Sequence, residues 1–169
     1  IFVNALVSRS KNAQEFWFNS HFEKFSYSVI KLQNLNQKSF VVEIGSNDGI
    51  MLQNFVSNKI PCLGIEPSKN VAEVARTKGI EVITEFFDKP LADKISKNFQ
   101  KADAILSANV MCHIPYMHSS YEGVKTLLSN DGVFIFEDPY LGEIIEKTSF
   151  DQIYDEHVFL FSALSISYI

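Results

Sequence analysis

Cysteine is scarce: Cys62 and Cys112 are the only two in 169 residues. They lie far apart and outside any CxxC or Cys/His ligand spacing, so neither a dithiol redox pair nor a four-ligand zinc knuckle can be drawn from the sequence. Both read as small buried hydrophobes, and no metal is expected in this chain. Positive charge is not in excess. Fifteen Lys and Arg against 20 Asp and Glu leave a formal net charge of -5, which removes the broad electrostatic footprint that a phosphate backbone requires. No apolar run approaches the roughly 18 residues of a membrane span, and no charged, apolar, small-residue leader appears. The expectations are no nucleic-acid partner, no membrane association and a cytoplasmic location. Repeats, low-complexity tracts and Pro/Gly/Ser-rich linkers are also missing. The sequence starts at Ile1 and stops inside the apolar stretch 159–169, an improbable place to end a sheet, so it reads as a fragment of a longer protein, truncated at the C-terminal side.

What is present is enough apolar material, 46% of the residues, for a sizeable core. Residues 1–39 are irregularly amphipathic, with aromatics between Phe16 and Phe25, and predict one or two helices packing beside a core formed by residues 40–169. From Phe40 short apolar runs alternate with helical segments, the signature of βαβ units. Strands are expected at 40–44, 62–65, 81–84, 104–107 and 133–136, and helices near 50–57, 70–78, 91–99 and 116–129. Gly49, Gly79 and the Asp131-Gly132 pair punctuate them. The fold class is α/β, a doubly wound, mainly parallel sheet. Pro139 blocks continuation of the fifth strand. Ligands of open α/β sheets bind outside the carboxyl ends of the strands, so the segments after Ile44, Ile65, Ser107 and Phe136 should converge on one crevice.

The first of those segments reads Glu43-Ile44-Gly45-Ser46-Asn47-Asp48-Gly49. Two glycines flanking small polar residues let the backbone turn tightly against a ligand, but the third glycine of a dinucleotide fingerprint is absent. Anionic phosphate suits Glu43 and Asp48 poorly, whereas a ligand bearing an ammonium and a sulfonium suits them well. Glu66 closes the second strand 17 residues after Gly49, near the spacing at which an acidic side chain reaches a ribose diol. After the third strand, Phe86 or Phe87 could stack on an adenine ring, and core packing competes as an explanation for both. Asn109 and His113 follow the fourth strand and face the same crevice. Beyond the fifth strand, Tyr154-Asp155-Glu156-His157 gathers a phenol, two acids and an imidazole. A carboxylate beside His157 would orient the ring and raise its basicity, making a proton acceptor. A helix would group Tyr154 with His157, and an extended chain would group it with Glu156.

Together these residues resemble the sugar C-methyltransferases, Rossmann-like class I enzymes that methylate nucleotide-linked 4-keto-deoxysugars. The likeness runs from Val41 to about Ser162 through EIGSNDG, Gly64-Ile65-Glu66-Pro67-Ser68, Glu85-Phe86-Phe87, Asn109-Val110, His113-Ile114-Pro115 and Pro139-Tyr140. It implies S-adenosylmethionine as cofactor, held by Gly45, Ser46, Asn47, Gly49, Glu66, Phe87 and Asn109. It implies His157 as the base, Tyr154 and Glu156 as helpers and His113 as a secondary candidate, acting on a small-molecule substrate, a nucleotide-linked sugar. Members of the family also carry a cysteine-rich zinc domain before this region and a sugar-binding domain after it. Asp155 departs from the family's Tyr-His-Glu-His pattern, and Ser8 and Ser10 would fall in a sugar-contacting segment. Rival readings use the same fold: O- or N-methylation of a small molecule, a cofactor-binding module without turnover, or a nicotinamide oxidoreductase.

Overall fold

A computed structural model of the chain describes residues 11–153 and 155–168; Ser8, Ser10 and Tyr154 therefore lie outside the described residues. Five parallel strands form one sheet in the order β3-β2-β1-β4-β5. They are β1 (Val41–Ile44), β2 (Cys62–Ile65), β3 (Glu81–Ile83), β4 (Ala102–Ala108) and β5 (Leu128–Glu137). The central strand β1 is buried on both faces at all four positions, as expected where helices cover a parallel sheet on both sides.

Alternation along the strands divides the interior into two cores. Val41, Val82, Ala104 and Leu106 face one side, with α1 (Lys11–Leu32), α2 (Leu52–Ser57) and α3 (Lys69–Thr77) contributing Val29, Phe55 and Ala75. Val42, Ile44, Leu63 and Ile105 face the other, against α4 (Lys89–Asn98) and α5 (Met117–Leu127) through Leu91, Ile95, Val124 and Leu127. The start of α4 is fixed locally: Asp88 accepts a hydrogen bond from the Leu91 N–H at 2.8 Å and Pro90 occupies the first turn, a cap worth about 1 kcal/mol. No helix among the described residues is long and apolar enough to cross a membrane.

The structure departs from the sequence expectations at the fifth strand. Strand β5 begins at Leu128, not at 133, and the helix before it ends at Leu127. The register jumps from Ala102↔Leu128 to Ala104↔Val133, so residues around Asp131-Gly132 bulge from the strand and do not separate it from the helix. Gly132 is required there, because a Cβ would lie 2.6 Å from the Ala102 carbonyl. After β5, Phe161 makes a bridge to Tyr140 before the short α7 (Ala163–Ile166). The α6 helix (Leu141–Lys147) and a 3-10 turn at Phe150–Gln152 link β5 to this region.

Candidate active site

Pairing of β1 with both β2 and β4 sets the site. Ile44 lies opposite Ile65 on one side and Ser107 on the other, so Gly45, Glu66 and Asn109 emerge at one level. The chain turns at once: the N–H groups of Gly45 and Ser46 both donate to the Ile65 carbonyl, at 2.8 and 3.1 Å. Gly45, Asn47 and Gly49 all adopt positive φ, +72°, +50° and +79°. At Gly45 the conformation and the space both demand glycine, since a Cβ would meet Val110 Cγ2 at 2.3 Å.

Glu66 ties the two turns together. Its Oε2 accepts from the Asn47 N–H at 3.1 Å and its Oε1 from the Ser68 N–H at 2.8 Å. A carboxylate has about four lone-pair sites, so the group is oriented by the main chain and keeps acceptor capacity for a ligand. Asn109, also at positive φ (+55°), is pinned by its N–H donating to the Glu137 carbonyl at 2.6 Å.

Two hollows meet over this turn. One, of about 480 Å³, is lined by Glu43, Asn47, Asp48, Glu66 and Asn109, with Phe18 and Phe22 of α1 across it. The other, of about 370 Å³, is apolar and is lined by Ile65, Phe86, Phe87, Ile114 and Tyr116, with His113 at its wall. Gly45, Pro67 and Val110 belong to both, so Val110 forms the waist between them. Both volumes fall in the range of about 300–1,000 Å³ usual for small-molecule sites.

Unspent hydrogen-bonding capacity collects at this end of the sheet. Glu43 Oε2, Ser46 Oγ, Ser107 Oγ and Asp138 Oδ2 are buried and have no partner among the described residues; such atoms are few in folded proteins. Burial pushes the Glu43 carboxyl well above the usual carboxylate range, and the nearby charges of Asp48 and Glu66 add to the effect. Asp48 itself pairs with Lys78 at 2.9 Å.

The expected cofactor residues divide into those that face the hollows and those that shape them. Gly45, Asn47, Glu66 and Asn109 line the polar lobe. Ser46 is fully buried beneath the turn against Gly64, and Gly49 packs under Ile80 and Ala75, so their side of the turn supports rather than faces the crevice. Both phenylalanines line the apolar lobe, but Phe87 is 3% exposed and packs against Gly123, whereas Phe86 is 69% exposed. Phe86 has the free ring surface.

His113 and His157 come together with ring centroids 4.9 Å apart. The segment carrying His157 is neither helical nor extended; it forms a turn at Asp155-Glu156 after the 3-10 turn. His157 Nδ1 lies 2.8 Å from the Gln152 carbonyl, and His113 Nδ1 lies 2.6 Å from the Glu156 carbonyl. A carbonyl only accepts, so Nδ1 is the protonated nitrogen of each neutral ring and Nε2 carries the lone pair. Ring orientation of His157 thus comes from a main-chain carbonyl, where the sequence suggested an acidic side chain, and Glu156 is exposed and reaches His113 through its backbone. The buried acid beside the pair is Asp138. It is 8% exposed, faces Cys112, His113 and His157, and is raised above the usual carboxylate range by burial, an effect those neighbours partly offset. Nothing in the local sequence singles it out beyond its place before Pro139 at the end of β5.

Against known proteins, the family model described as "Methyltransferase domain" matches residues 15–168. The chain belongs to this family. It is 33% identical over 146 residues to the C-methyltransferase NovU of Streptomyces niveus, an alignment that takes in 86% of this chain and 35% of that protein; the chain thus spans about a third of that relative's length. Among solved structures, a SAM-dependent methyltransferase from Archaeoglobus fulgidus superposes with a TM-score of 0.66 at 13% identity, over 91% of this chain and 71% of that one. The plantazolicin methyltransferase BpumL, solved with a substrate analogue and SAH, gives 0.64 at 16% identity, over 89% and 60%. These likenesses establish a Rossmann-like class I methyltransferase fold.

Proposed function

We propose that this methyltransferase domain binds S-adenosylmethionine in the two-lobed crevice and that the protein methylates a carbon next to a ketone in a nucleotide-linked 4-keto-deoxysugar. The observation that carries the reading is the juxtaposition across Val110 of an acidic lobe and an apolar lobe, with His113 at the apolar wall and the His157 ring packed against it. The donor set fits that cofactor. Glu43, with an unpartnered buried oxygen, and Asn109 suit the ammonium and carboxylate of an amino-acid tail. Glu66, already oriented, accepts from ribose hydroxyls, and Phe86 covers the adenine. A cationic ligand beside Glu43 favours its ionised form and offsets part of the burial cost. When bound, S-adenosylmethionine supplies an electrophilic methyl group on a sulfonium and leaves as S-adenosylhomocysteine. Gly45, Ser46, Asn47 and Gly49 hold the backbone turn that admits it.

The chain's own residues would prepare the carbon. A sugar carbon is too weak a nucleophile until a proton beside the ketone is removed, giving an enolate. His157, with its lone pair on Nε2, accepts that proton; Tyr154 and Glu156 assist in placing the sugar, and His113 packs against the base. The C-methyltransferase relative supports carbon as the acceptor.

The test uses the full-length protein, a nucleotide-linked 4-keto sugar and deuterated buffer. Wild type exchanges the hydrogen beside the ketone and transfers methyl to carbon. His157→Ala loses both and still binds S-adenosylmethionine. Exchange at the wild-type rate in the variant would move the base role elsewhere, with His113 next to be tested, and methyl on oxygen or nitrogen would replace the carbon reading with the rival.

A further inference from the structure

We propose that Cys112, His113 and His157 form a binding site for a divalent transition metal of the zinc class. Sequence spacing gives no hint of it, because the third ligand comes from a segment 44 residues beyond His113. In the folded chain, Sγ of Cys112 and one ring nitrogen from each histidine lie within 4.8 Å of one another, with Cys112 buried and both histidines half-buried. One thiol and two imidazoles make a donor set that zinc accepts and that magnesium and calcium, which prefer oxygen, do not.

The surroundings are built as metal sites are. Each imidazole is held through Nδ1 by a main-chain carbonyl, of Glu156 for His113 and of Gln152 for His157. Such outer partners fix the ring and its tautomer in zinc sites. Cys112 and His113 sit in a 3-10 turn, Met111–His113, which is pinned at both ends of the contact: the Cys112 N–H donates to Asp138 Oδ1 at 3.4 Å, and its carbonyl accepts from the Phe159 N–H at 3.1 Å. The loop after β4 and the segment after β5 are therefore already docked before any ion binds. Asp138 adds a buried carboxylate next to the cluster. It is 8% exposed, its Oδ1 accepts from the Cys112 N–H, and its Oδ2 is buried with no hydrogen-bond partner among the described residues. A thiolate and a carboxylate together balance the charge of one divalent cation.

Binding would release the Cys112 thiol proton to solvent as the sulfur–metal bond forms, with no change of oxidation state. An occupied site would also withdraw His157 from proton transfer; that consequence rests on the base role proposed above, whereas the metal site stands without it.

Zinc is titrated into the metal-depleted full-length protein against a chromophoric chelator, and cobalt(II) serves as a spectroscopic stand-in. Wild type should take up one more equivalent of zinc than Cys112→Ser or His113→Gln. The cobalt difference spectrum between wild type and Cys112→Ser should contain a thiolate-to-metal charge-transfer band. Excess magnesium should not displace the ion, Cys62→Ser should match wild type, and Asp138→Asn should weaken binding by about tenfold. Circular dichroism identifies any variant that fails to fold, and Cys112→Ala then stands in for Cys112→Ser. Equal uptake and equal spectra in wild type and both Cys112 variants would overturn the site. So would loss of the ion in His113→Gln with full retention in the Cys112 variants.

Discussion

The ends of β1 and β2 line the crevice, the segment after β5 packs against its His113 wall, and the two regions are held by different means. At the first, two short turns fix the geometry: the Ile65 carbonyl accepts from the N–H groups of Gly45 and Ser46, the Glu66 carboxylate accepts from one N–H of each turn, Asn47 and Ser68, and positive φ at Gly45 and Gly49 closes the loop. At the second, no regular element holds His157. The Gln152 carbonyl holds its ring locally, and its segment docks onto the turn after β4 through Glu156 and Phe159. Under the proposed function the first region is a receptor built from local chemistry, and the second is a tertiary assembly that places the base. Binding and chemistry should accordingly be separable.

The largest separation is expected at His157. Replacement by alanine in the full-length protein should lower turnover by about 10²–10⁴-fold, the usual worth of a positioned base, and leave S-adenosylmethionine affinity unchanged in calorimetry. A matching loss of affinity would dissolve the distinction between the two regions.

Gly45→Val attacks the other side. The side chain would enter at positive φ and strike Val110, so strain and overpacking together should cost at least about 2 kcal/mol, measured by urea unfolding. Cofactor binding should be lost even under conditions where the variant is folded. An unchanged midpoint would show that the turn is not the tight receptor described.

Glu43 sharpens the comparison through pH. Its carboxyl is raised in the folded chain above its ordinary value of 4.5, so the folded state binds more protons than the unfolded one as pH rises from that value toward the raised one. Stability from this group is full below 4.5 and declines across that window, by at most about 1.4 kcal/mol per pH unit. Glu43→Gln should flatten the decline, as checked by unfolding at a series of pH values; an identical slope in the variant would place the titration elsewhere.

The sequence was most legible where the physics is local. The boundaries of β2 follow directly from a short apolar run, and the turn after β1 from glycines at positions that need positive φ. The start of β5 was obscured because the Asp131-Gly132 pair has the chemistry of a turn, while in the fold Gly132 lets a bulge pass close to Ala102. Phe86 and Phe87 could not be ranked from their identity; only burial separates them. Asp138 and Val110 were missed for the same reason, since their importance lies in what other strands bring beside them. Cys112 reads as a core residue until His157, from another segment, arrives next to it.

The most direct test of the central claim, that the β1–β2 turns form the S-adenosylmethionine receptor, is calorimetric titration of wild type and Glu66→Ala. Wild type should bind S-adenosylmethionine and not NAD. The variant should bind it at least about tenfold more weakly, the loss expected when a charge-assisted hydrogen bond of about 1.5–3 kcal/mol is removed. Glu66→Gln, which keeps an acceptor for the turn, should fall between them. Equal affinity in wild type and folded Glu66→Ala, or binding of NAD in preference to S-adenosylmethionine, would contradict the claim.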